Sequence, residues 1–259
     1  MTGDGRVTFR RDGPVGHVTF DRPAARNAMT WAMYRDLRSV CERVPDEPGL
    51  RVLVLRGAGG RAFVAGTDIA QFRAFATAED GIAYEREMEG HIAALERLPM
   101  PTVAVIEGWA TGGGLTLAAA CDLRIAASGA RVGVPVARTV GNTISLANHA
   151  RLMAGFGAGR AKRMLMLGEM LDAAEALACG FLAAVVPPAD LDATVSATVA
   201  RLLGNAPLTM GASKEAIRRV LAGDTAEAED LIGRCYASAD FREGVDAFLA
   251  KRPPGWRGA

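Results

Sequence analysis

Two glycine-bearing stretches have the composition of backbone chemistry: residues 61–72 (RAFVAGTDIAQF) and residues 107–122 (EGWATGGGLTLAAACD). In each, small residues lead from a buried strand into a helix, so N–H groups at the helix start have no acceptor and can point into a shared crevice. Two such donors make an oxyanion hole for the enolate or tetrahedral oxygen of a thioester carbonyl, and a side chain there would block the oxygen's approach. Gly112-Gly113-Gly114 equally suits a tight helix–strand contact or a phosphate loop. A dinucleotide fingerprint needs G-x-G-x-x-G and a Walker loop needs a lysine after its last glycine; neither spacing is present.

Other polar residues have plainer readings beside functional ones. Asp68 stands three residues before Gln71 at a helix start, the spacing of a capping box. His91 and His149 fall in helical segments and His17 in an opening hairpin, where packing or surface roles are the rule. Glu85, Glu87 and Glu89 crowd one helix as a solvated face, with one of them in reach of a pocket. The loop from Val134 to Ser145 has no carboxylate, but Arg138, Thr139, Asn142, Thr143 and Ser145 offer hydrogen bonds and one fixed charge. Arg138 suits a structural ion pair or a carboxylate-bearing acyl group, which would match its planar guanidinium.

The elements that position these residues alternate. Val7 to Arg10 and Gly16 to Phe20 read as a hairpin, Thr30 to Val44 as a helix and Arg51 to Leu55 as a strand buried on both faces. Glu79 to Leu98 reads as a long helix, Thr102 to Ile106 as a strand, Gly112 to Ala120 as a short helix and Asp122 to Ala126 as a strand. Such alternation predicts a layered α/β core with parallel, right-handed crossovers. After Leu146 the pattern is helical, around residues 161–167, 173–179, 191–203, 207–221, 226–239 and 241–251, with one strand at Ala184 to Val186. These helices have too little apolar surface for a core of their own and are expected to dock on a neighbour.

Composition narrows the class. The 259 residues are 50% hydrophobic and 23% charged, as expected of a globular chain and not of a disordered or disulfide-stapled one. The 30 basic and 29 acidic residues are interspersed and leave a net charge of +1, so no long-range field gathers nucleic acid or an anionic membrane. Cys41, Cys121, Cys179 and Cys235 lie far apart without a C-x-x-C pair, which predicts free thiols and no metal site. With no signal-like amino terminus and no membrane-length apolar run, a cytoplasmic protein is expected.

The combination of Phe63-Val-Ala-Gly-Thr-Asp-Ile69, Gly108-Trp-Ala-Thr-Gly-Gly-Gly114 and the Leu-Ala-Ala-Ala-Cys-Asp122 run resembles the crotonase (enoyl-CoA hydratase/isomerase) superfamily. Arg22-Pro23 and Arg26-Asn27-Ala28 near the start, and Glu243 to Arg252 near the end, extend the resemblance along the whole chain. It implies a spiral of ββα units forming two sheets over residues 1–195, and a helical trimerisation region over 196–259. It further implies a homotrimer, or a hexamer of paired trimers, acting on acyl-CoA, with coenzyme A as part of the substrate and no separate cofactor. By position, the family's oxyanion donors fall on the N–H groups of Ala65 and Gly113. Adenine and pantetheine contacts fall on Arg26, Ala28 and the loop Ala65, Gly66, Thr67, Asp68, Ile69, with Gly112, Val136 and Arg138 along the acyl site. Phe248 and Lys251 match positions that hold the nucleotide, sometimes from a neighbouring subunit.

The departures bear on the reaction. Hydratases of the family place one glutamate two residues after the glycine run and another after the proline of the following loop; here those positions are Thr116 and Val136. Adding water to an enoyl thioester needs one carboxylate to take a proton from water and one acid to protonate the α-carbon. Threonine is not basic enough and valine has no proton to exchange, which places the two-glutamate hydration in doubt. The reading is an acyl-CoA enzyme that stabilises an enolate, with decarboxylation or isomerisation open to it. The alternative is a catalytically silent acyl-CoA binder or assembly subunit.

Overall fold

The computed structural model describes residues 4–224 and 226–259. It opens with the antiparallel pair β1 (Arg6–Asp12) and β2 (Val15–Asp21), followed by α1 (Trp31–Arg43), whose first turn is capped by the Thr30 hydroxyl accepting the Met33 N–H at 3.2 Å. Three times the chain then runs long strand, short strand, helix. The first unit is β3 (Val52–Gly57), β4 (Ala62–Val64) and α2 (Ala78–Glu96); the second is β5 (Thr102–Ile106), β6 (Trp109–Thr111) and α3 (Gly113–Ala120). The third is β7 (Leu123–Ala127) and β8 (Arg131–Gly133), with α4 (Val136–Thr139) and α5 (Leu146–Met166). After β9 (Leu171–Asp172), α6 (Ala173–Ala178) and β10 (Ala184–Val186) come α7 (Leu191–Leu203), α8 (Pro207–Leu221), α9 (Glu229–Tyr236) and α10 (Ala239–Leu249).

Each unit gives its longer strand to one sheet and its shorter strand to another. The six-stranded sheet has the order β1-β2-β3-β5-β7-β10 and is parallel from β2 onward. The four-stranded sheet has the order β4-β6-β8-β9, parallel except at β9. This is the expected mixed α/β spiral. The runs VLVLRG and TVAVI are apolar on both faces because both faces are covered. Leu53, Leu55, Ala104 and Ile106 join the main core with Phe20 and Phe63, while Val52, Val54, Val103 and Val105 pack with Leu191 and Val199 of α7.

Residue patterning alone missed the second sheet, since its strands have two or three residues, too few to show a period. It also began α5 too late. Helix starts at Leu146, and the Gly155, Gly157, Gly159 series that obscured the pattern includes a kink at Gly157. The 226–239 helix is shorter than expected, residues 229–236. Ile217, Val220, Phe248 and Leu249 on α8 and α10 are exposed, and no helix of the described residues is long and apolar enough to cross a membrane.

α3 approaches β4 of the four-stranded sheet so closely at Gly114 that a Cβ there would fall on the carbonyl of Val64. Only glycine allows the first turn of α3 to rest on the backbone of β4. Gly114→Ala is therefore expected to destabilise the fold by about 3 kcal/mol or more, read as a lowered Tm, because neither backbone can give way. Gly129→Ala, whose Cβ would meet nothing within 4 Å, is the control and should leave Tm near that of the parent.

Candidate active site

The site is assembled by a clamp between β4 and the loop before α1. Asn27 is fully buried; its Oδ1 accepts the Arg22 N–H at 3.0 Å and its Nδ2 donates to the carbonyls of Ala58 and Ala62 at 3.0 and 2.9 Å. Arg26 and Asn27 both take left-handed backbone angles, φ 51° and 58°, to make this turn. Beyond the clamp the loop runs alongside the chain leaving β4. The Ala65 N–H donates to the Arg26 carbonyl at 3.1 Å, the Met29 N–H to the Gly66 carbonyl at 2.8 Å, and the Asp68 N–H to the Met29 carbonyl at 2.8 Å.

This pairing decides which donor is free. In a parallel bridge centred on Met29 and Thr67, the groups of Gly66 and Asp68 face Met29 and the N–H of Thr67 faces the other way. Across from it, Gly112 donates its own N–H to the Gly133 carbonyl at 2.9 Å, and Gly113 opens α3. Among the described residues, neither the Thr67 N–H nor the Gly113 N–H has an acceptor. The two residues touch: a Cβ on Gly113 would stand 3.2 Å from Thr67 Oγ1 and 2.6 Å from Tyr34 Oη. The expected pairing of Ala65 with Gly113 is corrected accordingly. Ala65 lines the cavity, but its N–H already serves the Arg26 carbonyl, and Thr67 presents the unoccupied donor.

The donors open on a cavity of about 260 Å³ that also reaches Gly66, Ile69, Gly112, Thr116 and Val136. A second chamber of about 510 Å³, walled by Phe75, Ile82, Thr143 and Ser145, adjoins it through shared Phe72, Tyr84, Glu85, Val140, Asn142 and Ile144. Tyr34 Oη lies 2.9 Å from Thr67 Oγ1, which lies 3.1 Å from Tyr84 Oη, so three hydroxyls tie α1, the donor loop and α2 together. Burial pushes both phenols up, that of Tyr84 to about 12, so both keep their protons at neutral pH.

Thr116 is buried and its hydroxyl donates to the Gly113 carbonyl at 2.9 Å, which holds the first turn of α3. Val136 adds only an apolar wall. Glu85 is the one carboxylate lining either chamber among the described residues. Burial and the nearby Glu89 raise its proton affinity above that of an ordinary carboxylate, against the pull of the Ser145 N–H and His149. Its neighbours are committed elsewhere: Arg151 binds Glu89 through two nitrogens at 2.8 and 2.7 Å and Glu96 through two at 3.0 and 2.8 Å. Glu87 faces His91 at 3.6 Å.

Glu85 was singled out by residue type but not separated from Glu87 and Glu89. The signal was present: Glu85, Met88, Ile92 and Leu95 recur at helical spacing, which puts one acid on the apolar stripe of α2.

Several predicted residues lie outside both chambers. Arg138 is exposed, packs toward Gly168 and lines neither chamber; it makes no ion pair among the described residues, so the structural salt bridge is not formed. Asp68 caps the following turn by accepting the Ala70 N–H at 3.1 Å and pairs with Arg22 at 2.8 Å. The expected capping box is incomplete, because the Gln71 side-chain oxygen instead accepts the Trp31 N–H at 2.8 Å. Arg26 is exposed, and the Ala28 carbonyl accepts from Arg22 at 3.1 Å. Phe248 and Lys251 are exposed at the end of α10.

A family model described as Enoyl-CoA hydratase/isomerase matches residues 10–259. The chain belongs to the enoyl-CoA hydratase/isomerase family. Within this family it is 32% identical over 253 residues to a short-chain-enoyl-CoA hydratase of Clostridium acetobutylicum, covering 95% of each chain. It is 35% identical over 257 residues to an enoyl-CoA isomerase/hydratase of Mycosarcoma maydis, covering 94% of this chain and 93% of that one. The fold matches the crystal structure of an enoyl-CoA hydratase/carnithine racemase from Magnetospirillum magneticum with a TM-score of 0.90 at 33% identity, over 98% of this chain and 96% of that one. Family membership thus rests on the whole chain, including the two stretches that build the donor pair.

The crowding at Gly113 gives a test of this geometry. Gly113→Ala should drive its methyl against the Tyr34 hydroxyl and lower stability by about 1–3 kcal/mol. In a Tyr34→Phe background, which removes that oxygen, the same substitution should cost less, a coupling that a double-mutant cycle on Tm or denaturant midpoint measures directly.

Proposed function

We propose that this family member binds an acyl-CoA thioester and stabilises its enolate, the carbonyl oxygen accepting the N–H groups of Thr67 and Gly113. The observation that supports this is a pair of backbone N–H groups, at Thr67 and Gly113, that have no acceptor among the described residues and belong to residues lining one cavity. Negative charge developing on the oxygen there meets fixed dipoles, one of them at the start of α3, without any reorganisation. Coenzyme A enters as part of the substrate, with no separate cofactor. The exposed Arg26 and the Ala65 to Ile69 loop would border its adenine and pantetheine, and Phe248 and Lys251 would contribute from a neighbouring copy in a trimer or hexamer. The exposed apolar residues of α8 and α10 support such an assembly.

Water addition is not the reaction this chemistry favours. At the two positions where hydratases of the family carry glutamates, Thr116 is bonded to Gly113 and Val136 is apolar. Crotonyl-CoA should therefore be hydrated well below the roughly 10 per second typical of enzymes, measured as loss of the conjugated thioester absorbance. A panel of acyl-CoA thioesters followed by mass, including malonyl-type and β,γ-unsaturated ones, tests the enolate reading; no binding and no turnover across the panel would refute it. Light scattering at micromolar concentration should show an assembly larger than a monomer.

A further inference from the structure

We propose that Glu85 is the catalytic residue that moves the substrate's α-proton, making this a one-carboxylate enzyme of the isomerising kind. The inference rests on the acyl-CoA reading above and adds the group that the reading lacks. Three observations place the proton transfer on α2 and not on α3 or α4, where the family's hydratases carry it.

The first is position. Glu85 lines both chambers and sits where they join, so an acyl chain whose carbonyl lies at Thr67 and Gly113 and whose tail enters the second chamber passes beside its carboxylate. The second chamber is walled mainly by Phe72, Phe75, Ile82, Val140 and Ile144, and suits a hydrocarbon tail better than water. The second is isolation. Glu89 and Glu96 are neutralised by Arg151, whereas Glu85 makes no ion pair among the described residues and stays available to exchange a proton. The third is environment. The titratable groups that face it are Tyr84 and Glu89 on its own helix, Tyr34 on α1 and His149 on α5; burial with Glu89 outweighs His149 and the Ser145 N–H to raise its affinity for protons, and both phenols stay neutral. A carboxylate so tuned takes and returns a proton near neutral pH more readily than an exposed one.

The step balances without a further reactant. The Glu85 carboxylate takes the α-proton, and the electrons of the C–H bond pass into the enolate, whose oxygen is held by the two N–H donors. The resulting Glu85 carboxylic acid then gives a proton back, to the α-carbon in simple exchange or to the γ-carbon when the substrate is β,γ-unsaturated. In the second case the double bond moves into conjugation with the thioester. A single carboxylate suffices for this shuttle, whereas hydration needs a second group to activate water.

The test uses the full chain and two probes, hexanoyl-CoA in deuterium oxide and trans-β,γ-hexenoyl-CoA. The parent is expected to bind both by calorimetry, to place deuterium at the α-carbon of the first by mass, and to convert the second to the conjugated enoyl thioester by absorbance. Glu85→Gln, nearly the same size, should bind as the parent does while exchange and conversion fall at least about 100-fold. Glu87→Gln, on the outer side of α2, should behave as the parent. In the parent both rates should be lost as pH falls through the titration of Glu85, at a midpoint above the ordinary carboxylate range, and Glu85→Gln should lose that inflection. Exchange or conversion in Glu85→Gln within about threefold of the parent, well inside the loss expected of a missing general base, overturns the assignment. So does a parent that binds the probes without reacting with either. A parent that binds no acyl-CoA at all refutes the acyl-CoA reading itself, a result distinguishable from both.

Discussion

The structure depends on one contact between backbones. The chain leaving β4 and the chain entering α3 lie so close that no side chain fits between Gly114 and the Val64 carbonyl, and Gly113 is bounded by the hydroxyls of Tyr34 and Thr67. Because the two segments cannot slide apart, the N–H groups at Thr67 and Gly113 are held in register on one wall. Each glycine of the triplet has its own reason. Gly112 takes φ 50°, a conformation that side chains rarely adopt; Gly113 makes room for the Tyr34 and Thr67 hydroxyls; Gly114 allows the packing. Of the rival readings of this run, packing is realised at Gly114, and the neighbouring Gly113 keeps an N–H without an acceptor among the described residues.

The remaining walls are positioned by hydrogen bonds that reach across elements distant in sequence. The three hydroxyls of Tyr34, Thr67 and Tyr84 link α1, the donor loop and α2, and Arg151 fastens α5 to α2 through Glu89 and Glu96. The Arg151 side chain is almost wholly buried, so its two carboxylates offset a desolvation cost that a lone guanidinium would carry in full. The same network separates three nearby acids: Glu89 and Glu96 are paired with Arg151, and Glu85, one turn before Glu89, lines the cavity and makes no ion pair among the described residues.

The family's fold is thus retained with threonine at position 116 and valine at position 136. An oxyanion hole made of backbone amides survives substitution of the side chains around it, since its donors depend on chain path and not on residue identity. The Thr116 hydroxyl turns back to the Gly113 carbonyl and supports the helix start at Gly113. Val136 adds apolar surface to the cavity lining.

The sequence by itself determined the α/β class, the long parallel strands, most of the helix boundaries and the two stretches that form the site. Each of these is encoded locally, in apolar runs, helical periods and glycine clusters, and a resemblance along the whole chain added the spiral. Residue patterning did not reveal the second sheet, which only the resemblance implied, because its two- and three-residue strands become regular only when four distant segments pair. It also could not say which amide of the Ala65-Gly66-Thr67 segment is free, because that depends on the Arg26 and Met29 groups opposite, nearly forty residues earlier in the chain. Arg138 and Glu85 show the same division. As residue types both were candidates, but only the packed chain turned one toward Gly168 and the other into the cavity, since a side chain's surroundings are fixed by contacts that no local pattern records.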